Sequence, residues 1–162
     1  MNKELITLRV NGREHQLAAE PNRLLLDVLR RDLALTGSKQ ACDDSSCGSC
    51  TVLIDGVPML SCTLLAASCQ GCEITTVESL AGDGRLSALQ RAWGAGGGSQ
   101  CGFCTPGFLM TVKALLENNP DPSDDEIKRA ISGNLCRCTG YTQMYDAVKL
   151  ALKSQAKAAV AE

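Results

Sequence analysis

Aromatic side chains are scarce in this sequence: one Trp, two Tyr and two Phe among 162 residues. That leaves Leu, Val, Ile and Ala to build a core, and a hydrophobic share of 44% supplies them. Histidine is scarcer still, with His15 alone. One histidine cannot furnish a Rieske centre, which needs two. His15 falls on an alternating segment, where a surface or sheet-edge position is expected rather than a ligand. No run of about 18 apolar residues occurs, so no membrane span is expected. Acidic residues exceed basic ones only slightly, the formal net charge being -2. Nucleic acid asks for clustered Lys and Arg and is not an expected partner. There is no C-x-x-C-H haem site, no Walker loop and no G-x-S-x-G elbow. Asp43-Asp44 and Asp121, Asp124 and Asp125 read as loop and helix-start acids.

Cysteine, in contrast, is abundant, with ten residues. A secreted disulfide scaffold would be shorter and would begin with a signal peptide. "MNKELITLRVNG" has no apolar h-region, and Met1 reads as an initiator. The expected compartment is the cytoplasm, where clustered thiols mean metal or redox chemistry.

The first half reads as a small sheet with one helix. Ile6, Leu8 and Val10 alternate with Thr7 and Arg9, the mark of a half-buried strand. Asn11-Gly12 is a hairpin signal, because both turn positions need positive φ. A second strand is predicted over residues 14–18. "NRLLLDVLRRDL" predicts a helix with Leu25, Leu26, Leu29 and Leu33 inward and Gly37 as its stop. "TVLIDGVPMLSC" predicts strand, Asp-Gly turn, strand, and residues 74–77 a further strand.

The second half reads as helices. "LSALQRAW" is a short one, and "GAGGGS" over residues 94–99 a flexible connection. That glycine run does not lie between a strand and a helix, so it is discounted as a dinucleotide loop. Thr105 as N-cap and Pro106 at N1 open a helix with Phe108, Leu109, Val112, Leu115 and Leu116 on one stripe. Asn118-Asn119-Pro120 ends it. Ser123 and Glu126 form a capping box for the next, with Ile127, Ala130 and Ile131 inward and Gly133 as stop. A last helix starts near Thr142 with Tyr145, Val148 and Leu152 on one face, and residues 154–162 read as a frayed tail.

The cysteines sort into three sets. Cys42-x4-Cys47-x2-Cys50, with Cys62 eleven residues on, has the order of plant-type 2Fe-2S proteins. Four thiolates must converge on two irons, and a tight loop brings three of them round one side. Gly48 permits the close backbone approach this needs. A zinc knuckle would normally carry two evenly spaced C-x2–4-C pairs, so zinc fits less well. Cys101-x2-Cys104 and Cys136-x-Cys138 form a second set of four, each pair in a connection where helix ends meet. The helix dipole beside Cys104 favours thiolate there. Spacing alone leaves zinc open for this set. Cys69 and Cys72 remain. Two sulfurs cannot complete a cluster, so they are expected to be free thiols in a turn at Gln70-Gly71, at least one partly exposed.

"GSKQACDDSSCGSCTVLIDGVPMLSC" and "QCGFCTPGFLM…NPDPSDDEIKRAISGNLCRCTGY" resemble the small iron–sulfur subunit of the molybdenum hydroxylases, the xanthine oxidase family. The resemblance runs from about residue 3 to about residue 152. The chain departs from the family's common forms at Ala41, where Gly is usual, and at Ser49, where Ala is usual.

The resemblance implies an α+β chain in two parts. Residues 1–78 would form a β-grasp, plant-ferredoxin-like domain with a 2Fe-2S cluster on Cys42, Cys47, Cys50 and Cys62. Residues 79–162 would form a four-helix bundle with a second on Cys101, Cys104, Cys136 and Cys138. It implies that Gln100 contacts molybdopterin, in its cytosine dinucleotide form, held by a large partner subunit. It also implies a medium FAD subunit and a dimer of heterotrimers. Electrons would pass singly from molybdenum through the bundle cluster, then the sheet cluster, to FAD or an external acceptor. 4-Hydroxybenzoyl-CoA reductase, carbon monoxide dehydrogenase and N-heterocycle hydroxylases have similar small subunits. "TGSKQ" and "CTVLIDGVP" lean toward members with aromatic substrates. The competing readings are a free-standing ferredoxin-type carrier and a zinc-binding interaction module.

Overall fold

The computed structural model describes residues 2–82 and 84–159, with side chains through Ser154. Strands β1 (Glu4–Val10) and β2 (Arg13–Ala19) form the expected hairpin. Its turn residues Asn11 and Gly12 both have positive φ, 52° and 74°. Strands β3 (Thr51–Ile54) and β4 (Val57–Leu60) form a second hairpin on the same principle, with Asp55 and Gly56 at 50° and 82°. The short β5 (Glu73–Thr75) joins the two, parallel to β1 and antiparallel to β3. The order is β2-β1-β5-β3-β4, so the sheet is mixed. β2 is an edge, which puts half-buried His15 where expected.

Helix α1 packs on one face of this sheet and completes a β-grasp. It is an α turn over Leu25–Asp27 that widens to π geometry over Val28–Asp32. The Leu33 N–H donates to the Val28 carbonyl at 3.0 Å, an i→i+5 bond. Widening the turn brings Val28 inward beside Leu25, Leu26 and Leu29, all four buried, while Leu33 is only half-buried. The helix therefore ends sooner than expected. Ala34, not Gly37, carries the left-handed φ, 56°. Gly37 has another reason to be glycine: a Cβ there would stand 2.3 Å from Val77 Cγ1. The predicted 74–77 strand is also shorter, giving way to a 3₁₀ turn over Val77–Leu80.

Helices α2 (Ala88–Ala95), α3 (Thr105–Asn118), α4 (Asp124–Ile131) and α5 (Thr142–Ala159) form the bundle. Ser123 and Glu126 make the expected capping box on α4, and Ser87 and Gln90 make an unforeseen one on α2. Thr105 is not the N-cap of α3. Cys104 holds that position, and the Thr105 hydroxyl pairs instead with the Ser99 hydroxyl at 2.6 Å. Pro106 still suits the first turn, where its missing N–H is no loss.

Two fully buried aromatics, Trp93 and Phe108, centre the bundle core with ring centroids 6.0 Å apart. The few aromatics thus do more core work than their number suggested. On α5 the inward stripe is Met144, Ala147, Val148 and Ala151, a rotation from the expected Tyr145–Val148–Leu152 face. Small Ala147 is what lets α2 come close: a Cβ on Gly96 would lie 2.9 Å from the Ala147 Cα. A Cβ on Gly98 would lie 2.8 Å from the Trp93 ring. The glycine run is thus the last turn of α2 and a tightly packed bend, not a loose connection. The chain through Ala159 is helical rather than frayed, and residues 160–162 lie outside the described residues.

A third apolar group, Leu53 on β3 with Met110 and Ala114 on α3, seals sheet to bundle. Among the described residues no helix is long and apolar enough to cross a membrane.

Candidate functional site

The seam between sheet and bundle is built around Gly48, in the loop that follows α1. Gly48 has φ 71°, and a Cβ there would stand 2.5 Å from the Gly133 carbonyl oxygen. From the other side Gly107 of α3 approaches, where a Cβ would lie 2.2 Å from the Gly48 carbonyl oxygen. That carbonyl accepts from Asn134 Nδ2 at 2.9 Å and from the Thr51 hydroxyl at 2.7 Å. Asn134 Oδ1 in turn accepts from the Thr111 hydroxyl at 2.9 Å. Next along the chains, the Leu135 N–H donates to the Cys47 carbonyl at 2.8 Å. The two cysteine loops are therefore bonded to each other. Gly107, Thr111 and Asn134 were not foreseen. Asn134 and Gly107 lie within the quoted motifs, but nothing in cysteine spacing marks them.

In the loop between α1 and β3 the thiols pair two by two. Cys42 bonds with Cys47, and Cys50 with Cys62, which follows β4. Cys47 and Cys50 are buried, Cys42 and Cys62 half-buried. The bond from the Cys47 thiol and its backbone N–H lower the Cys42 thiol below the ordinary thiol value. Burial pushes the Cys50 thiol up to about 11. The Ser45 hydroxyl stands 3.7 Å from Cys62 Sγ.

The bundle set repeats the pattern. Cys138 Sγ lies 3.6 Å from Cys101 Sγ, and Cys104 bonds with Cys136. Burial pushes the Cys104 thiol up to about 12, so the helix start beside it does not give the thiolate expected from sequence. Burial also opposes ionisation of Cys136, but hydrogen bonds outweigh it and bring this thiol to about 7. The donors are the Thr139 hydroxyl at 3.2 Å, the Cys138 N–H at 3.4 Å and the Thr139 N–H at 3.5 Å. The Tyr141 hydroxyl accepts the Cys136 N–H at 3.0 Å and so orients the loop. Cys101 and Cys138 are exposed, bordered by exposed Phe103 and Leu135. Gln100, also exposed, directly precedes Cys101.

Cys69 and Cys72 stand apart from both sets. Cys69 ends a 3₁₀ turn over Ala66–Cys69 and is 3% exposed, its thiol donating to the Leu65 carbonyl at 3.5 Å. Burial, then the neighbouring Cys72, raises its pKa. Half-buried Cys72 is raised by its hydrogen bond to the Asp55 carboxylate. Raised pKa values leave less thiolate at neutral pH, so both thiols should react slowly. In cluster-loaded protein, an alkylating reagent near pH 7 is expected to modify Cys72 before Cys69, each slower than an unperturbed thiol. Peptide mapping over time checks the order. Replacing both with Ser is expected to leave every iron signal unchanged.

Thiols grouped in twos suit a centre of two bridged irons, each taking two cysteines. Among the described residues no three ligating side chains close on a single ion. Two family models match accordingly: "2Fe-2S iron-sulfur cluster binding domain" over residues 8–70 and "[2Fe-2S] binding domain" over residues 76–149. The chain is an iron–sulfur protein with two 2Fe-2S domains. It is 48% identical to the nicotinate dehydrogenase small FeS subunit of Eubacterium barkeri, over 94% of this chain and 98% of that one. It is 50% identical to the 6-hydroxypseudooxynicotine dehydrogenase complex subunit beta of Paenarthrobacter nicotinovorans, over 91% and 92%. Quinoline 2-oxidoreductase from Pseudomonas putida 86 contains a chain that superposes with TM-score 0.91 at 43% identity, covering 97% of this chain and 98% of that one. The chain belongs to the small iron–sulfur subunits of the molybdenum hydroxylases, the xanthine oxidase family. It is an electron-transfer subunit of an oxidoreductase complex. The free-standing carrier and the zinc module give way to this reading.

Proposed function

We propose that Cys42, Cys47, Cys50 and Cys62 hold one 2Fe-2S cluster and that Cys101, Cys104, Cys136 and Cys138 hold the other. The domain division falls at residues 78 and 79, inside the Val77–Leu80 turn. The clusters supply one-electron redox chemistry. The protein's own part is to hold them apart at a fixed separation, supply hydrogen bonds and exclude water. The observation that carries this reading is the bond from the Leu135 N–H to the Cys47 carbonyl. It links a sulfur-bearing residue of one loop to the neighbour of Cys136 in the other. The chain thus offers a continuous bonded route between the two thiol sets. A zinc module would have no use for that route.

The exposed face with Gln100, Cys101, Phe103, Leu135 and Cys138 is the one that meets the large molybdopterin subunit. It combines exposed thiols with apolar side chains that water would otherwise surround. Gln100 would contact the pterin, with the cytosine dinucleotide form as its cofactor. FAD would lie on a medium subunit, and the assembly would be a dimer of heterotrimers in the cytoplasm. The substrate is an N-heterocyclic or aromatic compound. The relatives' names support this, as they act on nicotinate and on 6-hydroxypseudooxynicotine. Electrons would leave the substrate and reach the bundle centre first.

The test is to isolate the chain with its partners and add a panel of N-heterocycles and aldehydes anaerobically. A heterocycle is expected to reduce both iron centres, read by EPR. Reduction by aldehydes alone would overturn the substrate class. Purification of an active chain with no partner would overturn the assembly.

A further inference from the structure

The cavity bordered by the bundle thiols has one wall that comes from the other loop. Ala41, Cys47 and Ser49 line it opposite Cys104, Cys136 and Cys138. Ser49 sits between Cys47 and Cys50, in the loop of the sheet set, yet it lines the cavity of the bundle set. It is 2% exposed. Its carbonyl accepts from the Lys39 N–H at 3.1 Å. Its hydroxyl has no hydrogen-bond partner among the described residues. The nearby buried hydroxyls behave differently: Thr51 donates to the Gly48 carbonyl and Ser61 to the Cys50 carbonyl, each at 2.7 Å. Among the described residues the one fully enclosed side-chain oxygen left without a partner is Ser38 Oγ, so the Ser49 hydroxyl is not sealed in protein; the opening it keeps is the cavity it lines, where a bound group could accept its hydrogen bond.

We propose that the Ser49 hydroxyl donates a hydrogen bond to a sulfur of the bundle 2Fe-2S centre, and so sets that centre's reduction potential from within the loop of its neighbour. The inference rests on the two-cluster reading above. Reduction adds an electron to an already negative centre. A donor aimed at a sulfur stabilises the reduced form and raises the potential. Ser49 is a positioning and tuning residue here, not a ligand. It also makes the two centres interdependent, because movement of the sheet loop withdraws the donor from the bundle centre.

The experiment is an EPR-monitored redox titration of the assembled complex, wild type against Ser49→Ala, with a Cys136→Ser sample to identify which signal belongs to the bundle. Losing the donor should shift the bundle centre's reduction equilibrium about tenfold toward the oxidised form, about 59 mV for a one-electron couple. The sheet centre should stay where it was. Pulsed EPR in D2O provides a second reading: an exchangeable deuteron coupled to the bundle centre in the wild type should vanish in Ser49→Ala. An unchanged bundle potential with the deuteron retained would overturn the proposal. So would an equal shift of both centres, which would report a general change in the loop. Failure of the two-cluster reading looks different, since the wild type would then show no second titrating signal.

Discussion

Serine at Cys136 removes one of the two iron signals and leaves the other. This is the largest effect expected of any single substitution. Cys136 pairs with Cys104, which burial pushes up to about 12 and which therefore stays protonated at neutral pH unless metal draws the proton off. Without its partner, Cys104 cannot hold an iron. Cys136 is also where Thr139 and the Cys138 N–H concentrate their hydrogen bonds, so the substituted loop loses its anion-stabilising centre along with a sulfur. Iron is expected to fall from about four to about two per chain. Substrate-driven reduction of the remaining sheet centre should fall to background, because on the proposed route the bundle centre is the first station from the partner subunit. Thermal unfolding should separate this from global collapse. The sheet core of Ile6, Leu8, Val10, Leu25, Leu29 and Ile74 shares no residue with the bundle core and should still melt cooperatively.

The second large effect is expected at Gly107. Its hydrogen faces the Gly48 carbonyl, and a Cβ would stand 2.2 Å from that oxygen. The obstacle is backbone on both sides, so no side-chain rotation relieves it. Gly107→Ala must part α3 from the cysteine loop, which also strains the Asn134 and Leu135 hydrogen bonds. Overpacking of this kind costs about 3 kcal/mol, or about 6–12 °C in Tm for a chain of this size. Both iron signals should broaden or shift, because the seam supports both loops. Gly94→Ala is the control. It lies in the last turn of α2, exposed, with nothing within 4 Å of a Cβ. That change should stabilise the helix by up to about 1 kcal/mol and leave the iron signals alone.

The parts of the fold that could be read from sequence are those where one residue pair or one periodicity decides the outcome. Asn11-Gly12 and Asp55-Gly56 specify their turns because few other pairs accept two positive φ values in succession. The stripe from Phe108 to Leu116 specifies α3 because only a helix brings those positions to one side. Elsewhere the same residue admits two physical meanings. The glycines at 96 and 98 look flexible in sequence, yet they serve close contact with Ala147 and Trp93. The widened turn of α1 has no sequence signature, since Val28 is as good an inward residue in either geometry once the sheet covers it. Helical spacing groups Tyr145 with Val148 and Leu152, but Tyr145 only borders the bundle core. It is half-buried, with its hydroxyl accepting from Lys149 Nζ at 3.3 Å.

The candidate site divides along the same line. The two sets of four cysteines were visible from spacing, and the spare pair from counting. Which sulfur meets which was not, because the pairs 42/47, 50/62, 101/138 and 104/136 are set by how loops fold back. The seam was least visible of all. Asn134 bonds the Gly48 carbonyl, 86 residues away, and Gly107 owes its lack of a side chain to the same distant carbonyl. Only the folded chain brings these groups together, and they are what join the two cysteine loops.

The proposed two-cluster path is tested most directly by one measurement: iron and acid-labile sulfide per chain, taken with EPR of the fully reduced protein. The expected result is about four irons and about four sulfides per chain, with two distinct 2Fe-2S signals that broaden one another through their spin coupling. Zinc in place of iron, or a single signal with about two irons in protein made under full cluster supply, would contradict it.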